Sequence, residues 1–129
     1  MVRGCYSRSR ISPLLSVVLL AALFAGGCGP GEPTYTPEQV AAGKTAFLAT
    51  CATCHGKDAY GLPKLGKNLY LNAFVREHTD EEMVAFLKTG RPASDPLNTT
   101  KVDMPPKGGN PALTDEQLKD IVAFLRSLK

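Results

Sequence analysis

Five consecutive residues, Cys51-Ala52-Thr53-Cys54-His55, concentrate more reactive chemistry than any other stretch of the chain. Two thiols three residues apart share one side of a helical turn, and an imidazole follows the second thiol directly. Several chemistries compete for that pattern. A thioredoxin-like redox pair sits after a strand in a βαβ setting, and no alternating Val/Ile/Thr run is present to supply one. A structural zinc takes four ligands, whereas the part of the chain after Cys28 has only two Cys and two His, His55 and His78. A plain disulfide leaves His55 without a role. C-x-x-C-H is the attachment signature of c-type haem, in which both sulfurs bond to the vinyl carbons and the histidine lies beneath the iron. One covalent haem c, held by Cys51 and Cys54 with His55 as proximal ligand, is therefore the expected cofactor.

The second axial ligand has to come from further along the chain, where Met83, Met104 and His78 are the candidates. Met83 falls on an apolar helical stripe, where a methionine is ordinarily packing material. His78 immediately precedes a helix cap and fits a staple contact with Met83. Met104 stands in Val102-Asp103-Met104-Pro105-Pro106, where the prolines restrict the backbone of a long loop. A thioether on a stiffened loop is what a low-spin iron site needs, so Met104 is the expected distal ligand.

Three helices must position these groups, and each announces its start. Thr36-Pro37-Glu38-Gln39, Thr79-Asp80-Glu81-Glu82 and Thr114-Asp115-Glu116-Gln117 all place a threonine cap three residues before Glu or Gln, with acids in the first turn. Tyr35 and Leu113 are set to staple onto Val40 and Leu118. Apolar residues then recur at helical spacing: Val40, Gly43, Phe47 and Leu48; Met83, Phe86 and Leu87; Leu118, Ile121, Val122, Leu125 and Leu128, with Phe124 at the edge. The second helix should stop at Gly90, ahead of Pro92. Residues 91–113 form a long stretch with five prolines and no element of their own, a length a small domain tolerates only for a functional loop. The domain, 37–129, is expected to be all-α, with three to four helices and long loops wrapped around a large apolar guest.

The N-terminal segment reads as an address. Arg3, Arg8 and Arg10 precede an apolar run over 11–25 that is short of the roughly 20 residues a spanning helix needs. The run ends in Ala25-Gly26-Gly27-Cys28, which resembles a bacterial lipobox. Residues 1–27 are thus expected to be a lipoprotein signal peptide, Cys28 the lipidated N-terminus, and 28–36 a Gly- and Pro-rich tether. Of 15 basic residues, three lie in that signal, so the remainder carries 12 basic and 12 acidic residues. That balance argues against a nucleic-acid partner. Lipidation would place the domain outside the cytoplasm, in the periplasm or on the outer face of the cell membrane.

Taken in order, Cys51-x-x-Cys54-His55, then Met104-Pro105 on a late loop, then a capped C-terminal helix, the chain resembles class I (mono-haem) cytochrome c over nearly all of 36–129. The resemblance implies that the first and last helices cross closely, a small residue on one meeting an aromatic on the other, places that Gly43, Phe47 and Phe124 fit. It implies a proline, Pro63, whose carbonyl accepts the proximal histidine Nδ1–H. Arg91 and Asn68 suggest themselves as propionate partners. It also implies a one-electron carrier of high potential rather than an enzyme, shuttling between a quinol-oxidising complex and a terminal oxidase or similar acceptor. The alternatives are a haem enzyme or sensor with a displaceable Met104, and an electron-entry subunit of a larger oxidoreductase. Lys57, Lys64, Lys67, Lys101 and Lys107 cluster in sequence around the haem segments, either as a steering collar or as an ordinary solvated surface.

Overall fold

The computed structural model describes residues 34–128, so the signal segment, Cys28 and the tether up to residue 33 lie outside the described residues. The all-α expectation holds. Five α-helices occur among the described residues: α1 (Pro37–Thr50), α2 (Ala52–His55), α3 (Ala73–Glu77), α4 (Asp80–Thr89) and α5 (Asp115–Ser127), with a 3-10 turn at Pro106–Gly109. No strand forms among them; two isolated antiparallel bridges, Leu62 with Gly66 and Arg91 with Met104, tie loops instead.

All three threonine caps close as reciprocal boxes. Thr36 Oγ1 accepts from Gln39 N at 3.2 Å while Gln39 Oε1 accepts from Thr36 N at 2.9 Å. The same exchange joins Thr79 to Glu82 and Thr114 to Gln117. Each box satisfies two amides that the helix itself leaves without partners.

The frame is the crossing of α1 and α5, the most extensive contact between any two helices here. A Cβ built on Gly43 would run into the Asp120 carbonyl of α5, so only glycine allows this approach. One turn on, the rings of Phe47 and Phe124 meet at 5.2 Å between centroids and 51° between planes. Phe47, Leu118, Ile121 and Val122 are fully buried, each contributing about 1.5–3 kcal/mol through removal of apolar surface from water. Leu48 departs from the expected stripe and is 40% exposed. It lies about 100° around the helix from Phe47, beyond the arc that α5 covers.

Helix α3 was not anticipated, because five residues are too few to show a period. It forms because the Asn72 side chain accepts from Phe74 N at 3.0 Å and because its far end is capped from outside. Arg126 of α5 donates to the carbonyls of Val75 and His78 and pairs with Asp80 at 3.2 Å. Tyr35 hydroxyl donates to the other Asp80 oxygen at 2.7 Å, so one cluster joins the start of the domain, α3, α4 and α5.

Candidate functional site

The loops and helices enclose an apolar cleft of ≈ 270 Å³. Cys51, Cys54, His55 and Met104 all border it, together with Met83; Pro63 and His78 do not. The four side chains that the sequence singled out for the cofactor, Cys51, Cys54, His55 and Met104, thus border one space. Its walls are the inner faces of α1, α4 and α5, the strap 65–75 and the loop 97–108.

The backbone turns out of α1 at Cys51 into the single turn of α2, whose last residue is His55. The two cysteines are half-buried and unpaired with each other. Before any haem is attached, burial, with a smaller contribution from Cys54, pushes the Cys51 thiol up to about 11. His55 has its basicity lowered by burial, partly offset by its bond to the Lys67 carbonyl. That bond, 2.8 Å from Nδ1, decides the tautomer. A carbonyl can only accept, so Nδ1 carries the proton, and in the neutral ring that burial favours Nε2 keeps a free lone pair.

The acceptor differs from the expected Pro63. Residues 62–66 form a tight return, with Leu62 N to Gly66 O and Gly66 N to Leu62 O both at 3.1 Å and Lys64 in the left-handed region at φ 61°. Pro63 sits at the exposed tip of this return, and the strand of chain that comes back against α2 is 66–67. The Lys67 carbonyl therefore does what Pro63 was expected to do. No sequence signal marks a lysine for a role played by its backbone.

Also on the cleft, Met104 is held by its own main chain. Its N–H donates to the Arg91 carbonyl, and its carbonyl accepts from Arg91 N–H, both at 2.8 Å. Gly90 ends α4 at φ 72°, and a side chain there would strike the Met104 carbonyl. Pro105 and the 3-10 turn follow immediately. Met83 is a buried residue of α4, part of the main core as well as of the cleft wall. His78 is occupied elsewhere: its Nδ1 donates to the Phe74 carbonyl at 2.9 Å and its ring packs on Phe74 at 4.1 Å.

Arg91 borders the cleft, with its guanidinium 4.9 Å from the ring centres of both Phe74 and Phe86 and 3.3 Å from Asp95. Asn68 does not reach the cleft; its side chain and carbonyl instead bind Tyr70 N and the Asn72 amide at 2.7 Å each. Two of the clustered lysines have structural duties. Lys107 Nζ donates to the Leu113 and Pro111 carbonyls at 2.7 and 3.2 Å, and Lys67 Nζ reaches the Leu97 carbonyl at 3.4 Å.

An all-α shell whose apolar cleft gathers two thiols, an imidazole with a free lone pair and a thioether suits a planar apolar metal cofactor attached through sulfur. It defines the class of small covalent haem proteins. The cytochrome c family profile matches residues 40–129, and the chain belongs to that family. It is 36% identical to cytochrome c-555 of Prosthecochloris aestuarii over 86 residues, covering 67% of this chain and 84% of that protein. It is 34% identical to cytochrome c-555 of Chlorobaculum thiosulfatiphilum over 85 residues, which are 66% of this chain and 91% of that one. The match to cytochrome c-555 of Chlorobaculum tepidum is also 34% over 85 residues, covering 66% of this chain and 72% of the other. No solved structure matches significantly. The protein binds haem c covalently and is an electron-transfer protein rather than an enzyme.

Proposed function

We propose that this protein is a lipid-anchored, high-potential one-electron carrier in which Cys51 and Cys54 hold the haem by thioethers and His55 and Met104 are the axial ligands. The observation that carries the reading is the placement of His55 and Met104 on one cleft, each with its backbone or ring fixed by hydrogen bonds. The haem supplies the exchange of one electron between ferric and ferrous iron. His55 donates Nδ1–H to Lys67 and so presents Nε2 in a set orientation, which the Lys67 bond makes a better donor. Met104 brings a soft, neutral sulfur that favours the ferrous state, and the apolar walls of the cleft act in the same direction. With His55 and Met104 both bound, the iron would have no open position, so no substrate would coordinate and electrons would pass only by outer-sphere contact.

Anchoring rests on the basic start, the short apolar run and Ala25-Gly26-Gly27-Cys28. More than one acyl chain on Cys28 would give stable attachment and confine the search for partners to the membrane plane. The domain would then work on the outer face of the cell membrane or in the periplasm. Its donor would be a quinol-oxidising complex, and its acceptor a terminal oxidase or a comparable redox protein. Among the described residues no helix is long and apolar enough to cross a membrane.

The test uses protein from cells with haem-attachment machinery. Pigment should remain with the polypeptide in acidified acetone, and the ferrous form should resist carbon monoxide and the ferric form cyanide. Rapid binding of either ligand would instead indicate an open iron position. Palmitate labelling that disappears in Cys28→Ala, with the domain released from membranes, would support the anchor; unchanged membrane attachment would contradict it.

A further inference from the structure

We infer that Asn98 is the positioning residue for the distal ligand, fixing the Met104 sulfur over the cleft through the loop 91–104. The inference deepens the carrier reading and rests on Met104 being that ligand.

Asn98 is the single buried polar side chain among the described residues, 5% exposed, and it borders the cleft. Its amide nitrogen donates to the Val102 carbonyl at 2.8 Å and the Pro92 carbonyl at 3.1 Å, with the Arg91 carbonyl at 3.4 Å as a longer contact. Its amide oxygen accepts from Lys101 N and from Thr100 Oγ1, both at 3.0 Å. One side chain therefore binds both limbs of the loop, residues 91–92 on the way out and 100–102 on the way back.

The returning limb needs such a tie. Lys101 takes a left-handed conformation at φ 58°, unfavourable for a side-chain-bearing residue, and its N–H points at the Asn98 oxygen. Two residues after Val102 comes Met104, and the Arg91 carbonyl that receives Met104 N–H is the same oxygen Asn98 approaches. Proline at 92 and 105 stiffens the loop on either side but supplies no cross-link between the limbs. Asn98 ties the limbs from inside the loop, beside the Arg91–Met104 pair and the Asp103 carboxylate that accepts from Ala93 N–H, and its neighbour Leu97 receives Lys67 Nζ from the strap that carries the His55 acceptor.

The chemistry is specific to an amide. Two N–H groups must face carbonyls while an oxygen faces a backbone N–H and a hydroxyl, and a carboxylate of the same shape would set oxygen against oxygen at Pro92 and Val102. Leaving such buried groups unpaired loosens the loop without touching the α1–α5 frame.

The experiment compares the holoprotein with Asn98→Asp, Asn98→Leu and Val122→Ala, the last a fully buried frame residue that does not border the cleft. Ferric protein is titrated with imidazole, which must displace the distal ligand, and the methionine–iron charge-transfer band is recorded. Both Asn98 variants should bind imidazole about tenfold or more tightly, with a weakened band and a lower midpoint potential. Val122→Ala should lower the melting temperature while leaving imidazole affinity, band and potential as they were. The inference is overturned if Asn98→Asp keeps the parent's imidazole affinity and band, or if Val122→Ala shifts them equally. If Met104→Ala also keeps the band, the ligand assignment itself has failed; if Met104→Ala loses it while Asn98→Asp does not, only the role of Asn98 falls.

Discussion

The two halves of this small domain are stabilised by different physics. The α1–α5 frame is apolar and regular: Phe47, Ile121, Val122 and Phe124 exclude water, and reciprocal caps close the helix starts. The loop half, residues 56–72 and 90–113, has few buried apolar groups and is held by individual hydrogen bonds. It places Ala59, Lys64, Leu71, Lys101 and Lys107 at positive φ. The frame provides stability and brings the cleft walls together, whereas the loops orient His55 and Met104, the two side chains proposed as axial ligands. Changes in the frame should therefore move stability and leave ligation alone, while changes in the loops should do the reverse.

The largest frame effect is expected from Phe124→Ala. Removing a ring packed on Phe47 should cost about 4 kcal/mol, measured by denaturant unfolding of the oxidised holoprotein, with the visible spectrum below the transition unchanged. A displaced distal ligand in the folded variant would break the proposed division between frame and loops. Next comes Gly43→Ala. Alanine gains about 1 kcal/mol of helix propensity over glycine, but its methyl group meets the Asp120 carbonyl, so overpacking should win by about 2 kcal/mol net. A variant more stable than the parent would show that the helices can part at little cost.

Thr114→Ala removes one half of a capping box and should cost about 1 kcal/mol, again without spectral change. The smallest effect concerns Tyr35. Burial, followed by its bond to Asp80 and that carboxylate's charge, pushes its hydroxyl up to about 12 from an ordinary 10.0. Because the folded value lies above the unfolded one, the contribution is complete below pH 10 and is lost as the pH rises from 10 towards 12. Tyr35→Phe should flatten that part of the stability–pH curve; an identical slope in both proteins would remove Tyr35 from the alkaline transition.

The same division explains what could be read in advance. Helix starts and the α5 stripe were legible because capping and 3.6-residue periodicity are local rules with local signatures, whereas the crossing at Gly43 was expected only from the family resemblance. The attachment turn was legible because its residue pattern is rare and has one strong chemical use, and Met104 stood out as a cleft residue by its place before two prolines on a long loop rather than by its type, since Met83 borders the cleft as well. Pro63, Leu48 and α3 show where that stops. A backbone carbonyl such as that of Lys67 has no signature in a side chain, and its selection depends on how a turn with residues at positive φ folds back. Helix α3 exists because Arg126, about fifty positions further on, caps its end. Asn98 escaped notice because a buried asparagine and a solvated one are written with the same letter.

The central claim is that the chain holds its iron between His55 and Met104. Spectra of the oxidised holoprotein with Met104→Ala and, separately, Met83→Ala test it most directly, since both sulfurs border the same cleft. The methionine–iron charge-transfer band should vanish in Met104→Ala, with carbon monoxide then binding the ferrous form, and persist in Met83→Ala. A band that survives the loss of Met104, or disappears with Met83, would contradict the account.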